Sequence, residues 1–240
     1  MSRALLFAAV LVGWGNLAGA LLSTTAQLPG GSWPFVVAGI ALVLVSLVFA
    51  RWMSIGPADF GLRGDHLRGA LVGGMLGLLA AIVGTGLLRG VAPLLVGQSV
   101  EYAPLTTIAA VGLAQHTAFF LPLGDIFPEE VAFRGALLGG LLRADRSGTA
   151  VLLAGGVFAL WHLVVLYKTL DLTTLGWPSP WFIVALLGAL LVLFFGGVIL
   201  AWLRARTRSL ATTIAAHWVF NAVLLWGLWS TRSVVPSGCC

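Results

Sequence analysis

Glu129, Glu130 and Arg134 stand together in FPEEVAFRG, residues 127 to 135, with apolar sequence on both sides. Glu130 and Arg134 are four residues apart, so on a helix they share a face and can neutralise one another. Glu129 points about 100° away from its neighbour and is not held in the same way. A carboxylate left unpaired beside another acid at low dielectric can exchange a proton near neutral pH, which is the work of a general base. A buried ion pair explains Glu130 and Arg134, but it leaves the second acid unexplained.

Two further groups carry chemistry. In FALWH, Phe158 stands one turn before His162; in HWVFN, His217 and Asn221 share a helix face and can reach one cavity. Two histidines and an acid can ligate zinc, or a base can activate water while donors hold an oxyanion. Each group also has a structural reading. A histidine in a span often hydrogen-bonds to a neighbouring helix, and a His/Asn pair can serve as helix–helix glue. His116 and Asp125 are the remaining ionisable groups at depth, where each needs a partner or a function.

The elements that carry these residues must lie in a membrane. Of 240 residues 60% are hydrophobic and 9% charged, with a mean hydropathy of +1.04. A soluble domain carries about 25% charged residues, so the expected fold is an all-α polytopic transmembrane bundle, a single integral membrane domain over residues 1–240. The net charge of +5 does not point to nucleic acid, because most arginines lie singly or in short groups between apolar runs, where topology signals sit. Membrane lipids are the expected surroundings, and no nucleic-acid partner is expected. Cys239 and Cys240 are adjacent at the C-terminus and imply no disulfide framework; they read as a frayed tail. The apolar N-terminal run reads as a retained first span rather than a cleaved signal.

Spans are expected near 4–24, 34–50, 69–88, 105–142, 149–167, 181–203 and 209–229, each near the ~20 residues a crossing needs except the fourth. Residues 105–142 would run roughly 57 Å as a straight helix, so Pro122, Gly124 and Pro128 are expected to break or bend it. One crossing gives seven spans; two crossings give eight. The single crossing is preferred, because it places Arg3, Arg51, Arg63, Arg68, Arg143, Arg146, Arg204, Arg206 and Arg208 on one side with the N-terminus, and only Arg89, Lys168 and Arg232 on the other. By the positive-inside rule the N-terminus is then cytoplasmic, and the compact chain suggests a bacterial inner (plasma) membrane. Tryptophans at span ends form an aromatic belt, and Gly73/Gly77, Gly86/Gly90 and Gly135/Gly139 would let helices approach closely. Counted along helices, Glu129, His162 and His217 fall at depths compatible with one polar chamber near mid-bilayer or somewhat toward its outer side.

In order and type, EEVAFR, FALWH and HWVFN resemble the three motifs of the CAAX protease and bacteriocin-processing family, also called Abi, which includes the type II CAAX prenyl endopeptidases. The resemblance covers roughly residues 105–229, a family-like catalytic core; Gly135 after the arginine fits it, and Phe60-Gly61-Leu62-Arg63 looks like a short element often found upstream. It implies an intramembrane endopeptidase acting on a peptide or lipidated protein, with C-terminal CAAX-type processing as one form of that activity. Carried over by position, Glu129 and His162 would activate water, and His217 and Asn221 would stabilise the oxyanion. Glu130 with Arg134 would be the supporting pair, and Phe158 would shape the wall. His116 and Asp125 match no motif. No cofactor is the preferred expectation, with zinc held by Glu129, His162 and His217 as the alternative. Two other classes stand beside this one: a non-proteolytic bacteriocin-immunity or scaffold protein of the same fold, and a proton-coupled transporter, which would usually be longer and built from repeats not seen here.

Overall fold

No water reaches a peptide group inside hydrocarbon, so a spanning chain must satisfy its backbone internally, and helices do this locally. The computed structural model describes residues 1–22, 28, 32–144 and 147–232; among them there are helices, turns and only two isolated β-bridges. The Cys239–Cys240 tail and Arg146 lie outside the described residues. Five helices are long and apolar enough to cross a membrane: α1 (Ser2–Leu22), α2 (Trp33–Trp52), α4 (His66–Val96), α9 (Phe182–Thr207) and α10 (Leu210–Ser230). A sixth candidate is the pair α7 (Ser147–Trp161) and α8 (Leu163–Asp171), bent by 47°. Two single turns, α3 (Pro57–Phe60) and α5 (Ala103–Thr107), lie in the connections. The chain is an all-α integral membrane bundle.

The overlong fourth stretch is one helix, α6, running through residues 110–144 without interruption. It starts five residues later than expected, because Ile108 and the preceding turn are followed by extended backbone at Ala109 (ψ 155°). The expected breaks at Pro122 and Pro128 do not occur. The backbone instead widens into π-helical segments, His116–Ile126 and Val131–Leu137, which π-bulges commonly do at functional sites. Pro122 has no N–H to offer the Thr117 carbonyl five residues earlier, and the Trp218 indole of α10 donates to that carbonyl instead, at 2.8 Å. The hairpin that an eight-span chain would need inside this stretch has no turn to make it.

α6 lies at the centre. Every residue from Pro128 to Leu141 is buried, and Phe133, Leu137, Leu138 and Leu141 join Phe7 and Leu11 of α1, Leu42 of α2, and Phe158 and Trp161 of α7 in one core. The outer helices turn apolar side chains such as Leu187, Leu191, Val192 and Phe195 outward. Close approaches rest on small residues. A Cβ on Gly73 or Gly77 would stand 2.0 or 2.3 Å from the Thr212 or Ala216 carbonyl, so the expected small-residue seam joins α4 to α10. Gly135 and Gly139 pack on Phe60 and the Asp59 carbonyl of α3 rather than on another span, while Gly86 and Gly90 face open space. The Phe60-Gly61-Leu62-Arg63 element therefore sits directly against the helix that carries the acids.

α2 approaches α6 tightly at Gly39, where a Cβ would stand 2.7 Å from Pro128 Cγ and 2.9 Å from the Gly124 carbonyl. Pro128 is next to Glu129, so this notch sets the height of the acid. Gly39→Val is expected to destabilise the protein by about 1–3 kcal/mol through overpacking. Thermal unfolding in detergent reads this, with Gly86→Val, which faces open space, as the neutral comparison.

One end of the bundle gathers several of the arginines: Arg3 donates to the Trp52 carbonyl, Arg143 to the Met53 and Ser54 carbonyls, and the Gly64 N–H to the Arg208 carbonyl. At the other end Arg89 is pinned to Glu101 and the Leu228 carbonyl, and Lys168 caps α1 at the Gly19 and Ala20 carbonyls.

Candidate active site

α6 presents its two acids in different directions, as the spacing requires. Glu130 Oε1 lies 3.0 Å from Arg134 Nη1, with side-chain exposures of 0% and 1%. Glu129 faces the junction of α7 and α8, where its Oε1 stands 3.5 Å from His162 Nε2. His217 of α10 reaches Glu130, not Glu129: its Nδ1 donates to Glu130 Oε1 at 2.9 Å. Asn221 lies one turn further along α10 and is half-buried. Three stretches that are remote in sequence thus meet, and Glu130 receives two cationic or N–H partners where the sequence offered one.

The imidazole orientations follow from their partners. The Phe158 carbonyl can only accept, so His162 Nδ1, 2.7 Å away, carries its proton and leaves Nε2 toward Glu129. His217 donates through Nδ1 to Glu130, which likewise leaves Nε2 free. Phe158 is the hub: its ring centroid lies 4.5 Å from the His162 ring and 5.9 Å from the His217 ring. Arg134 lies over its face at 4.2 Å, so a cation–π contact supplements the carboxylate in holding the buried guanidinium. The working groups are not sealed: side-chain exposure is 15% at His162, 9% at Glu129 and 11% at His217.

Asp125, which no motif singled out, is half-buried four residues before Glu129 on α6 and lies close enough to Glu129 and His162 to interact with both charges. Its spacing from Glu129 was the signal that could have found it. His116 is buried earlier in α6. Asn16 of α1 was missed altogether; it hydrogen-bonds on either side of His162, donating to the Leu160 carbonyl and accepting from Val164 N–H. Its only signal was a carboxamide in an otherwise apolar span. Among the described residues no group of three or more His, Cys, Asp or Glu side chains is disposed to hold a metal ion.

Helical bundle and site together define an integral membrane protein with an acid–imidazole centre enclosed by its spans. Residues 113–223 match the model of the family described as type II CAAX prenyl endopeptidase Rce1-like. That stretch, a little under half of the chain, carries all three motifs, and over it the chain is similar to the CAAX protease family. No curated protein and no solved structure matches the chain.

Proposed function

We propose that the protein is an intramembrane endopeptidase in which Glu129 and His162 activate water without a metal. The observation that carries this is the 3.5 Å gap between Glu129 Oε1 and His162 Nε2. It is long for a direct hydrogen bond, and both groups can touch one shared water. Water attacks the peptide carbonyl carbon, and its proton passes to the Glu129 carboxylate. The carbonyl electron pair moves onto oxygen, where the Asn221 amide and His217 Nε2–H stabilise it. Glu130, bonded to His217 Nδ1, orients the ring from behind. Collapse of the intermediate breaks the C–N bond, and the proton on Glu129 goes to the departing amine.

No step is routed through zinc, because Glu129, His162 and His217 do not form a three-ligand group in the described residues. The substrate class is a membrane-embedded peptide or lipidated protein, with C-terminal CAAX-type processing as the first candidate. The protein is assigned to a bacterial inner membrane with the arginine-rich end and the N-terminus cytoplasmic.

Reconstitution into proteoliposomes with a fluorescence-quenched farnesylated CAAX peptide tests this reading. Cleavage is expected, and it should persist in EDTA and 1,10-phenanthroline. Loss of cleavage with the chelators, restored by zinc, would overturn the metal-free chemistry. Failure to cut either this peptide or unprenylated membrane-anchored precursors would overturn the proteolytic reading.

A further inference from the structure

His162 occupies the break between α7 and α8, with φ −88° and ψ 0°, a sparsely populated region where active-site residues are often found. The hydrogen bonds around the break rearrange in a consistent way. His162 N–H bonds to the Ala159 carbonyl rather than to that of Phe158. This frees the Phe158 carbonyl to hold the His162 ring at Nδ1. In a continuous α-helix the Leu160 carbonyl would accept from Val164 N–H. Here both of those groups turn to one side chain: Asn16 Nδ2 donates to the Leu160 carbonyl at 2.9 Å, and Asn16 Oδ1 accepts from Val164 N–H at 3.0 Å. The carboxamide is inserted into a single backbone hydrogen bond and replaces both of its ends.

α1 is shaped to make this insertion. A Cβ on Gly15 would stand 2.3 Å from the Trp161 indole, and one on Gly19 3.2 Å from Val165 N, so glycines on either side of Asn16 let the two backbones meet. Lys168 ties α8 to the end of α1 one turn later. No proline lies between 147 and 171 to break the helix. The usual causes of a sharp kink include a side chain inserted in the i→i+4 ladder, and Asn16 is that side chain.

We propose that Asn16 is a positioning residue of the active site: its carboxamide keeps the helix open at His162, so that the imidazole is fixed through Nδ1 and presents Nε2 to Glu129. This rests on the reading of Glu129 and His162 as the working pair, but it makes a conformational claim that can fail by itself. Asn16→Leu keeps the size and removes both hydrogen bonds to the break, along with the Asn16 Nδ2 bond to the Val12 carbonyl of its own helix. The Leu160–Val164 bond then closes, α7 and α8 straighten, and the ring loses the Phe158 carbonyl.

The test needs no substrate. In nanodiscs, with Cys239 and Cys240 changed to serine and spin labels at exposed Thr149 and Tyr167, the label separation is expected to lengthen by roughly 2 Å in Asn16→Leu as the bend opens. Nitrogen-15 spectra of histidine-labelled protein, assigned with His162→Gln, should show the Nδ1–H tautomer for His162 in the wild type and its loss in Asn16→Leu. An unchanged separation together with an unchanged tautomer overturns the proposal. Should Asn16→Leu fail to fold, the wild type decides alone: an Overhauser contact between the Asn16 carboxamide protons and the Val164 amide proton is required, and its absence overturns the idea. An inactive Glu129→Gln with these results intact separates this inference from the catalytic one.

Discussion

Glu129→Gln is expected to abolish peptide hydrolysis while the protein still inserts and unfolds at close to the wild-type temperature. Glutamine keeps the shape and can still hydrogen-bond, but it cannot take a proton from water or return one to the leaving amine. Proton transfer by a positioned group is worth about 10²–10⁴-fold in rate, and in the proposed chemistry Glu129 is the group that takes the proton. His162→Ala should be equally silent, because Nε2 is the other contact for the same water. Asp125→Asn should have a smaller effect, since Asp125 neighbours the pair without facing it as closely. Cleavage of the reconstituted peptide, normalised to folded protein, is the measurement. A Glu129→Gln variant with wild-type turnover would end the assignment.

Arg134→Leu is expected to be the most destabilising single substitution in the site. Glu130 is 0% exposed and Arg134 1% exposed, so removing the guanidinium leaves a carboxylate with neither water nor its cation. Breaking a buried pair from one side costs about 3–5 kcal/mol. The Phe158 ring loses the cation above it, and Glu130 keeps His217 and the Thr213 hydroxyl but no fixed cation. The double variant Glu130→Gln/Arg134→Leu should recover much of the loss, because no charge is then stranded, yet it should stay inactive since His217 loses the carboxylate that orients its ring. Thermal unfolding in detergent, compared across the two variants, checks both statements. Equal stability of Arg134→Leu and the wild type would show that the ion pair holds nothing.

The parts of the site that lie within one helix were legible. Four-residue spacing paired Glu130 with Arg134, and one-residue spacing turned Glu129 elsewhere; both hold. What sequence could not supply was the rotation of one helix about its axis against another. His217 and Asn221 share a face, but whether that face meets Glu129 or Glu130 depends on how α10 is packed, including its seam with α4, where Gly73 and Gly77 meet Thr212 and Ala216 some 140 residues away in sequence. Pro122 and Pro128 were read by their local rule, which forbids an ordinary helix. A tryptophan on another span and a wider backbone turn removed the conflict. Asn16 escaped notice because its partners are backbone groups, and backbone groups carry no residue signature.

The widened turns of α6 have a consequence for how this chain tolerates change in length. An i→i+5 turn takes in one residue more than an ordinary turn, so the acids are held in phase by a surplus residue upstream of them. Deleting any one residue between His116 and Ile126 would let the turn relax to ordinary pitch. Everything before the deletion would then swing by roughly 100° relative to the acids, although every motif would still be spelled in full. Two chains with identical motifs can therefore differ in whether those motifs address the same cavity, and the difference would be visible only as a gap of one letter in a stretch that carries no motif at all.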